Sequence, residues 1–106
     1  MFGIKKWNIL TKEIMHEWQN LHERQISSVI LTEDCQYLIS GGYDERLIKI
    51  NLETNEKELV CDSLQTGGIM TVTICNDPEN NYLYTSGPDG RILKMHMSDF
   101  QQASEL

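Results

Sequence analysis

Apolar and polar residues alternate along most of this chain in short runs that predict β-strands. The runs "ISSVIL", "QYLISG" and "RLIKINL" are each about six residues long and rich in β-branched side chains, and Gly, Asp and Asn bound them. The three runs together therefore predict a short antiparallel β-meander. The segment "KEIMHEWQNLHERQ" has good helix formers, but its apolar residues also fit a strand followed by a loop.

The pattern of strands repeats along the chain. "KWNILT" at residues 6–11 returns as "KINLET" 43 residues later, and "ISSVIL" at residues 26–31 returns as "IMTVTI" at the same offset. "YLISGGYDERLIK" returns as "YLYTSGPDGRILK" after 45 residues. Two residues are therefore inserted between these copies, and the turn "CNDPENN" is where added length is tolerated. The repeat assigns the ambiguous segment to a strand.

A period of 40 to 45 residues with four strands per unit is typical of WD-repeat β-propellers, which this sequence resembles over nearly its whole length. Trp7-Asn8 stands where Trp-Asp closes a repeat in that family. His22 matches the histidine before the first strand of a blade, and Asp44 and Asp89 match the aspartate between its second and third strands. Gln65 replaces the histidine in the last unit.

The resemblance implies an all-β fold of consecutive four-stranded antiparallel blades, about two and a half in number. The expected units are residues 1–21 as the end of one blade, 22–63 as a complete blade and 64–106 as the next. Propellers need about four to eight blades to close, so this chain has too few to close a ring alone. Its open ends are expected to meet other blades, from a longer propeller or a second polypeptide, and homo-oligomerisation ranks below both.

The resemblance also implies which side chains are structural and which face partners. A hydrogen-bond network is expected to pin the blades, and both tryptophans, Trp7 and Trp18, are expected to pack between them. The expected network residues are His22, Ser40, Asp44, Thr85, Asp89 and Trp7. Partner proteins are expected at the loops before the first strand and between the second and third strands of a blade. The candidate partner-binding residues are Glu23, Arg24, Gln25, Tyr43, Glu45, Gly68, Pro88 and Arg91.

The composition and net charge of the chain restrict the classes of function and partner further. Sixteen acidic and nine basic residues give a net charge of −7, which disfavours nucleic acid and anionic membranes as partners. Three cysteines and three histidines show no metal-ligand spacing, and neither a nucleophile motif nor a phosphate-binding glycine loop occurs. We therefore expect no enzyme activity, no cofactor and no metal.

The leading hypothesis is a noncatalytic protein-interaction scaffold within a multiprotein complex. The alternative is a permanent structural component of a large assembly, such as a cytoskeletal or ciliary complex, that contacts partners through open blade edges. An enzyme that uses a propeller channel ranks last. The expected location is the cytoplasm, with the nucleus and a cytoskeletal or ciliary site left open, since no apolar run suits a membrane span or a secretory signal.

Overall fold

The computed structural model describes residues 2–76 and 81–105, and these residues form ten β-strands. The strands are β1 Phe2–Trp7, β2 Ile14–His22, β3 Ile26–Leu31, β4 Tyr37–Gly42, β5 Leu47–Asn51, β6 Glu56–Cys61, β7 Thr71–Asn76, β8 Asn81–Ser86, β9 Ile92–His96 and β10 Gln102–Glu105. In the described part of the chain no helix is long and apolar enough to cross a membrane.

The strands form three antiparallel sheets in chain order. A first sheet has the order β1-β2, a middle sheet β3-β4-β5-β6, and a last sheet β7-β8-β9-β10. The prediction of an all-β fold with consecutive four-stranded sheets that do not close into a ring is confirmed. The strand assignment of the ambiguous segment is also confirmed, because most of it forms β2.

The predicted limits of the three units, at residues 21 and 63, stay a prediction. The sheets themselves span residues 2–22, 26–61 and 71–105. The insertion expected in the turn "CNDPENN" falls on residues 77–80, which lie outside the described part of the chain.

Two apolar clusters join neighbouring sheets. Ile39 and Leu47 of the middle sheet pack with Val72, Leu83 and other residues of the last sheet. Side chains on the opposite face of the middle sheet pack with the first sheet, and this cluster contains Trp18, Leu21, Leu38, Ile48 and Ile50. Because alternate residues of a strand point to opposite faces, Leu38 and Ile39 belong to different clusters. The middle sheet is therefore the centre of the molecule.

The turns that follow β1, β5 and β9 share one backbone geometry. The amide groups of Lys12, Asn55 and Phe100 donate to the backbone carbonyls of the residues four places before them, at N···O distances of 2.7, 2.7 and 2.9 Å. All three residues have left-handed φ angles, between 59° and 64°. The repetition seen in the sequence is therefore also a repetition of backbone geometry.

Candidate functional site

A buried polar network fastens the middle sheet to the strand that precedes it. The ring of His22 is fully buried at the end of β2. Its Nδ1 lies 2.9 Å from Oδ1 of Asp44, and its Nε2 lies 2.8 Å from Oγ of Ser40 on β4. An ionised carboxylate only accepts, so the ring Nδ1–H donates to Asp44 and the serine hydroxyl pairs with the other nitrogen.

Asp44 connects this network to the loops at the protein surface. Its Oδ2 accepts the backbone N–H of Glu23 at 2.9 Å, and its Oδ1 accepts that of Arg46 at 3.2 Å. The carboxylate side chain is only 4 % exposed. One carboxylate thus holds the β2–β3 loop, the β4–β5 turn and the histidine ring together, which fixes the conformation of both loops.

The last sheet contains a counterpart of this network in which Gln65 takes the place of the histidine. Its Nε2 donates to Oδ1 of Asp89 at 3.0 Å and to the backbone carbonyl of Arg91 at 2.9 Å. Oγ1 of Thr85, also buried, has no hydrogen-bond partner among the described residues. This network is therefore less complete than the one around His22.

The sequence showed that Gln65 replaces the histidine but did not place it among the network residues, because glutamine is not the residue expected there. The signal was present, since Gln65 lies 43 residues after His22, at the offset of the repeat. A backbone N–H bond from Arg91, reinforced by the Gln65 amide, lowers the pKa of Asp89. Polar contacts as well as apolar packing therefore hold the last unit together.

The two tryptophans differ, and the expectation for Trp7 is wrong. Trp18 is buried and its indole Nε1–H donates to the carbonyl of Asn55 at 2.9 Å. Trp7 is 53 % exposed and does not pack between sheets. The reason is that the described residues supply only two strands to the first sheet, so little structure covers Trp7.

Four of the predicted partner-binding residues gather on one surface, which we call the loop face and define as residues 23–25 with Tyr43. The backbone N–H of Tyr43 donates to the carbonyl of Gln25 at 2.9 Å, which joins the two loops. These residues and Phe2 line a depression of about 440 Å³. All four residues are exposed, and Tyr43 lines the depression together with the charged and polar residues 23–25.

The other predicted partner-binding residues have different surroundings. Gly68 is buried, contrary to a role at the surface, because its Cα packs against the backbone of Tyr43. Glu45 is half-buried, and its carbonyl accepts the backbone N–H of Leu64 at 3.1 Å. Pro88 is exposed and contacts Gly67. The structure thus extends the loop face through backbone contacts towards the last sheet.

Arg46 and Arg91, which follow equivalent turns of the middle and last sheets, form ion pairs with acidic side chains. Nη2 of Arg91 lies 2.6 Å from a carboxylate oxygen of Glu105 on β10, and this contact raises the pKa of Arg91. Arg46, which the sequence did not single out, donates to Asp62 at 2.8 Å and lies 3.7 Å from Glu23. Arg24, by contrast, forms no ion pair with the described residues and extends into solvent.

The acidic side chains matched to the repeat pattern form hydrogen bonds within the protein. Asp44 accepts hydrogen bonds at both carboxylate oxygens, whereas Asp89 accepts them at Oδ1. Within residues 2–76 and 81–105, no group of three His, Cys, Asp or Glu side chains could hold a metal ion. The exposed polar and aromatic side chains of the loop face remain available for contacts with another molecule.

Comparison with solved structures identifies the fold. A crystal structure described as RRP9 WD40 repeats superposes with a TM-score of 0.87, and a structure described as U3-55K superposes with a TM-score of 0.86. Each match covers 98 % of this chain at 13 % sequence identity. The prediction of WD-repeat blades is therefore confirmed at the level of the fold.

These matches differ in length from the present chain. The chain spans 32 % of the length of each of the two solved chains. Neither a protein-family model nor a curated protein sequence matches it. The structural likeness is thus to part of a larger WD40 structure, at low sequence identity.

Proposed function

We propose that this chain is a noncatalytic protein-interaction scaffold within a multiprotein complex and that the loop face is its partner-binding surface. The observation that carries the proposal is the attachment of the exposed loops to a buried network. The Asp44 carboxylate accepts from the backbone of Glu23 and from the ring of His22, so the loop face is rigid before a partner arrives. A preformed surface loses little conformational entropy on binding.

The side chains of the loop face suit a protein partner. Tyr43 offers a large aromatic ring and a hydroxyl group, and Arg24 offers an uncommitted guanidinium. Tyrosine and arginine are enriched among the residues that dominate binding energy at protein interfaces. The net charge of −7 opposes contact with phosphate backbones, which favours a protein over nucleic acid as partner.

The noncatalytic part of the proposal is supported by the hydrogen bonds that Asp44 and Asp89 form within the protein and by the WD40 fold of the structural neighbours. We place the scaffold in the cytoplasm. The free state of Cys35, Cys61 and Cys75 is consistent with a reducing compartment.

A pull-down with a matched control tests the loop face. We expect Tyr43→Ala with Arg24→Glu to lose proteins that the unchanged chain captures, as identified by mass spectrometry. The control is Leu10→Ala with Lys12→Glu, which makes the same charge reversal at an exposed turn distant from the loop face. Circular dichroism checks that both variants are folded. Equal capture by the two variants would contradict the assignment of this surface.

The second candidate function, a permanent structural component of a large assembly, is favoured by one repeated pair of side chains. Lys49 lies over the ring of Tyr37 at 4.3 Å, and its Nζ donates to the carbonyl of Met97, in the turn after β9, at 3.1 Å. Lys94 lies over Tyr82 at 3.9 Å with the same sequence spacing. In the described part of the chain, no further sheet packs against Lys94 and Tyr82.

Solubility separates the two candidates. A dispersed and folded chain that captures partners through the loop face favours the interaction scaffold. A chain that aggregates until it is co-expressed with a companion protein favours the structural component, because open apolar sheet faces then need permanent cover.

A further inference from the structure

The buried network of the last sheet contains two polar side-chain atoms that no group of the protein satisfies. Gln65 and Thr85 are each only 1 % exposed. Oε1 of Gln65 and Oγ1 of Thr85 are both buried and have no hydrogen-bond partner within residues 2–76 and 81–105. Most buried polar atoms in proteins are paired, and an unpaired one lowers stability. Two such atoms in one network are therefore expected to share a partner.

The repeat shows that these two side chains stand where the middle sheet has a hydrogen bond. Gln65 corresponds to His22 at an offset of 43 residues, and Thr85 corresponds to Ser40 at an offset of 45. In the middle sheet, Nε2 of His22 lies 2.8 Å from Oγ of Ser40. In the last sheet, the equivalent side chains form no direct hydrogen bond. The histidine contact with β4 thus has no direct counterpart on β8.

The amide group of Gln65 is held in place through its nitrogen. Nε2 donates to Oδ1 of Asp89 at 3.0 Å and to the carbonyl of Arg91 at 2.9 Å, and both acceptors lie in the turn between β8 and β9. Because both partners only accept, the NH₂ group must face them and Oε1 must face away. A rotation that brought Oε1 to the hydroxyl of Thr85 would strain or break these two hydrogen bonds.

The hydroxyl group of Thr85 has apolar neighbours within its own sheet. Thr85 lies on β8 opposite Val72 of β7 and Leu93 of β9. Both of these residues belong to the apolar cluster between the middle and last sheets. They offer the hydroxyl no side-chain partner, and the branched side chain of threonine has restricted freedom at χ1. The hydroxyl therefore depends on a partner from outside the sheet.

A small molecule that both donates and accepts hydrogen bonds fits this pair of atoms. An amide oxygen only accepts, whereas a hydroxyl group can donate or accept. A water molecule can donate one O–H to Oε1 of Gln65 and accept the hydroxyl proton of Thr85. Buried waters in proteins make roughly two to four hydrogen bonds to polar groups that otherwise lack a partner. The two atoms provide the minimum that such a water needs.

A third buried oxygen, Oδ2 of Asp89, has a different prospect. The backbone N–H of Arg91 contributes most to the lowered pKa of Asp89, and the backbone N–H of Thr66 also contributes. The equivalent backbone N–H in the middle sheet, that of Glu23, donates to Oδ2 of Asp44 at 2.9 Å. A small movement of the loop gives Asp89 the same contact with Thr66, so Oδ2 is left out of the bridge.

We propose that a buried water molecule bridges Oε1 of Gln65 and Oγ1 of Thr85. This water takes the part that Nε2 of His22 has in the middle sheet, and it attaches the loop before β7 to β8. The bridge lies within the last sheet, so it depends neither on the loop face nor on a partner protein.

A crystal structure of the unchanged chain, at a resolution that shows ordered water, tests the bridge directly. We expect an electron-density peak at hydrogen-bonding distance, about 2.6–3.2 Å, from both atoms. A direct hydrogen bond between the two side chains, or two unpaired atoms with no peak between them, would overturn the inference. Contacts clearly shorter than hydrogen bonds would do so as well, because they would indicate a cation in place of water.

Thr85→Val provides a second test that needs no crystal. Valine keeps the branched shape of threonine and lacks only the hydroxyl group. With the bridge in place, the change removes one partner of the water and leaves Oε1 of Gln65 poorly paired. We expect the equilibrium constant for unfolding, measured by urea titration, to rise by about fivefold or more. An unchanged or smaller constant would mean that the hydroxyl had no partner to lose.

Gln65→His tests whether the water takes the part of a ring nitrogen. The new ring is expected to bond Thr85 directly, as His22 bonds Ser40, and the density peak is expected to disappear. Persistence of the peak beside the new ring would contradict this role. Loss of loop-face partners in the pull-down has no bearing on these outcomes, so the two proposals fail separately.

Discussion

Removing the Asp44 carboxylate is expected to destabilise the protein strongly. Asp44→Ala leaves the ring Nδ1–H of His22, a fully buried donor, without its partner. An unpaired buried donor costs about 1–3 kcal/mol. The backbone N–H groups of Glu23 and Arg46 also lose an acceptor, at about 0.5–1.5 kcal/mol each. We expect the free energy of unfolding to fall by about 2–6 kcal/mol, a large part of the total for a domain of this size.

Asp89→Ala is the matched comparison, because Asp89 stands at the same position of the next repeat. It accepts from Gln65 and from the backbone of Arg91, and its Oδ2 has no partner among the described residues. We therefore expect Asp89→Ala to cost less than Asp44→Ala.

Urea titration followed by the fluorescence of buried Trp18 measures both losses, provided that the slope of free energy against urea is unchanged. Equal losses, or a larger loss for Asp89→Ala, would show that the argument from buried partners is mistaken.

Two further predictions concern other positions. Trp18→Phe is expected to lower the free energy of unfolding by about 2 kcal/mol through lost packing and a lost indole hydrogen bond. The exposed Trp7 is expected to matter less, so Trp7→Phe changes the free energy of unfolding by less than about 0.5 kcal/mol. Similar urea midpoints for the two variants would refute this. The pKa of Asp89 is lowered from 3.8, so its contribution to stability is present above that pH and lost as the pH falls further. Thermal melts below pH 4 are expected to lose stability less steeply in Asp89→Asn than in the unchanged chain, and parallel acid limbs would contradict the assignment.

The repeat in the sequence was sufficient to predict the strands and their grouping, because strand position in this fold follows from an offset of 43 to 45 residues. The side chains of Ser40 and Asp44, named from the resemblance, both lie within hydrogen-bonding distance of the His22 ring. Position within a repeat thus carries information on contacts between residues far apart in the chain.

Other features depend on contacts between distant parts of the chain, which a local sequence pattern does not contain. Trp7 was expected to be packed, but its burial depends on how many strands lie beside it, which the residues around it do not specify. Gly68 was expected at the surface, yet the path of its loop brings its backbone against Tyr43. The ion pair of Arg91 with Glu105 likewise depends on β10 lying next to β9.

The carboxylate of Asp44 accepts a hydrogen bond from the backbone of a surface loop and another from the ring of His22, which is buried inside the protein. A molecule that holds that loop in place also holds His22 in place, so binding outside and unfolding inside are thermodynamically linked. Occupancy of the surface by a partner is thereby expected to delay heat unfolding of the middle sheet, although the partner never touches its interior.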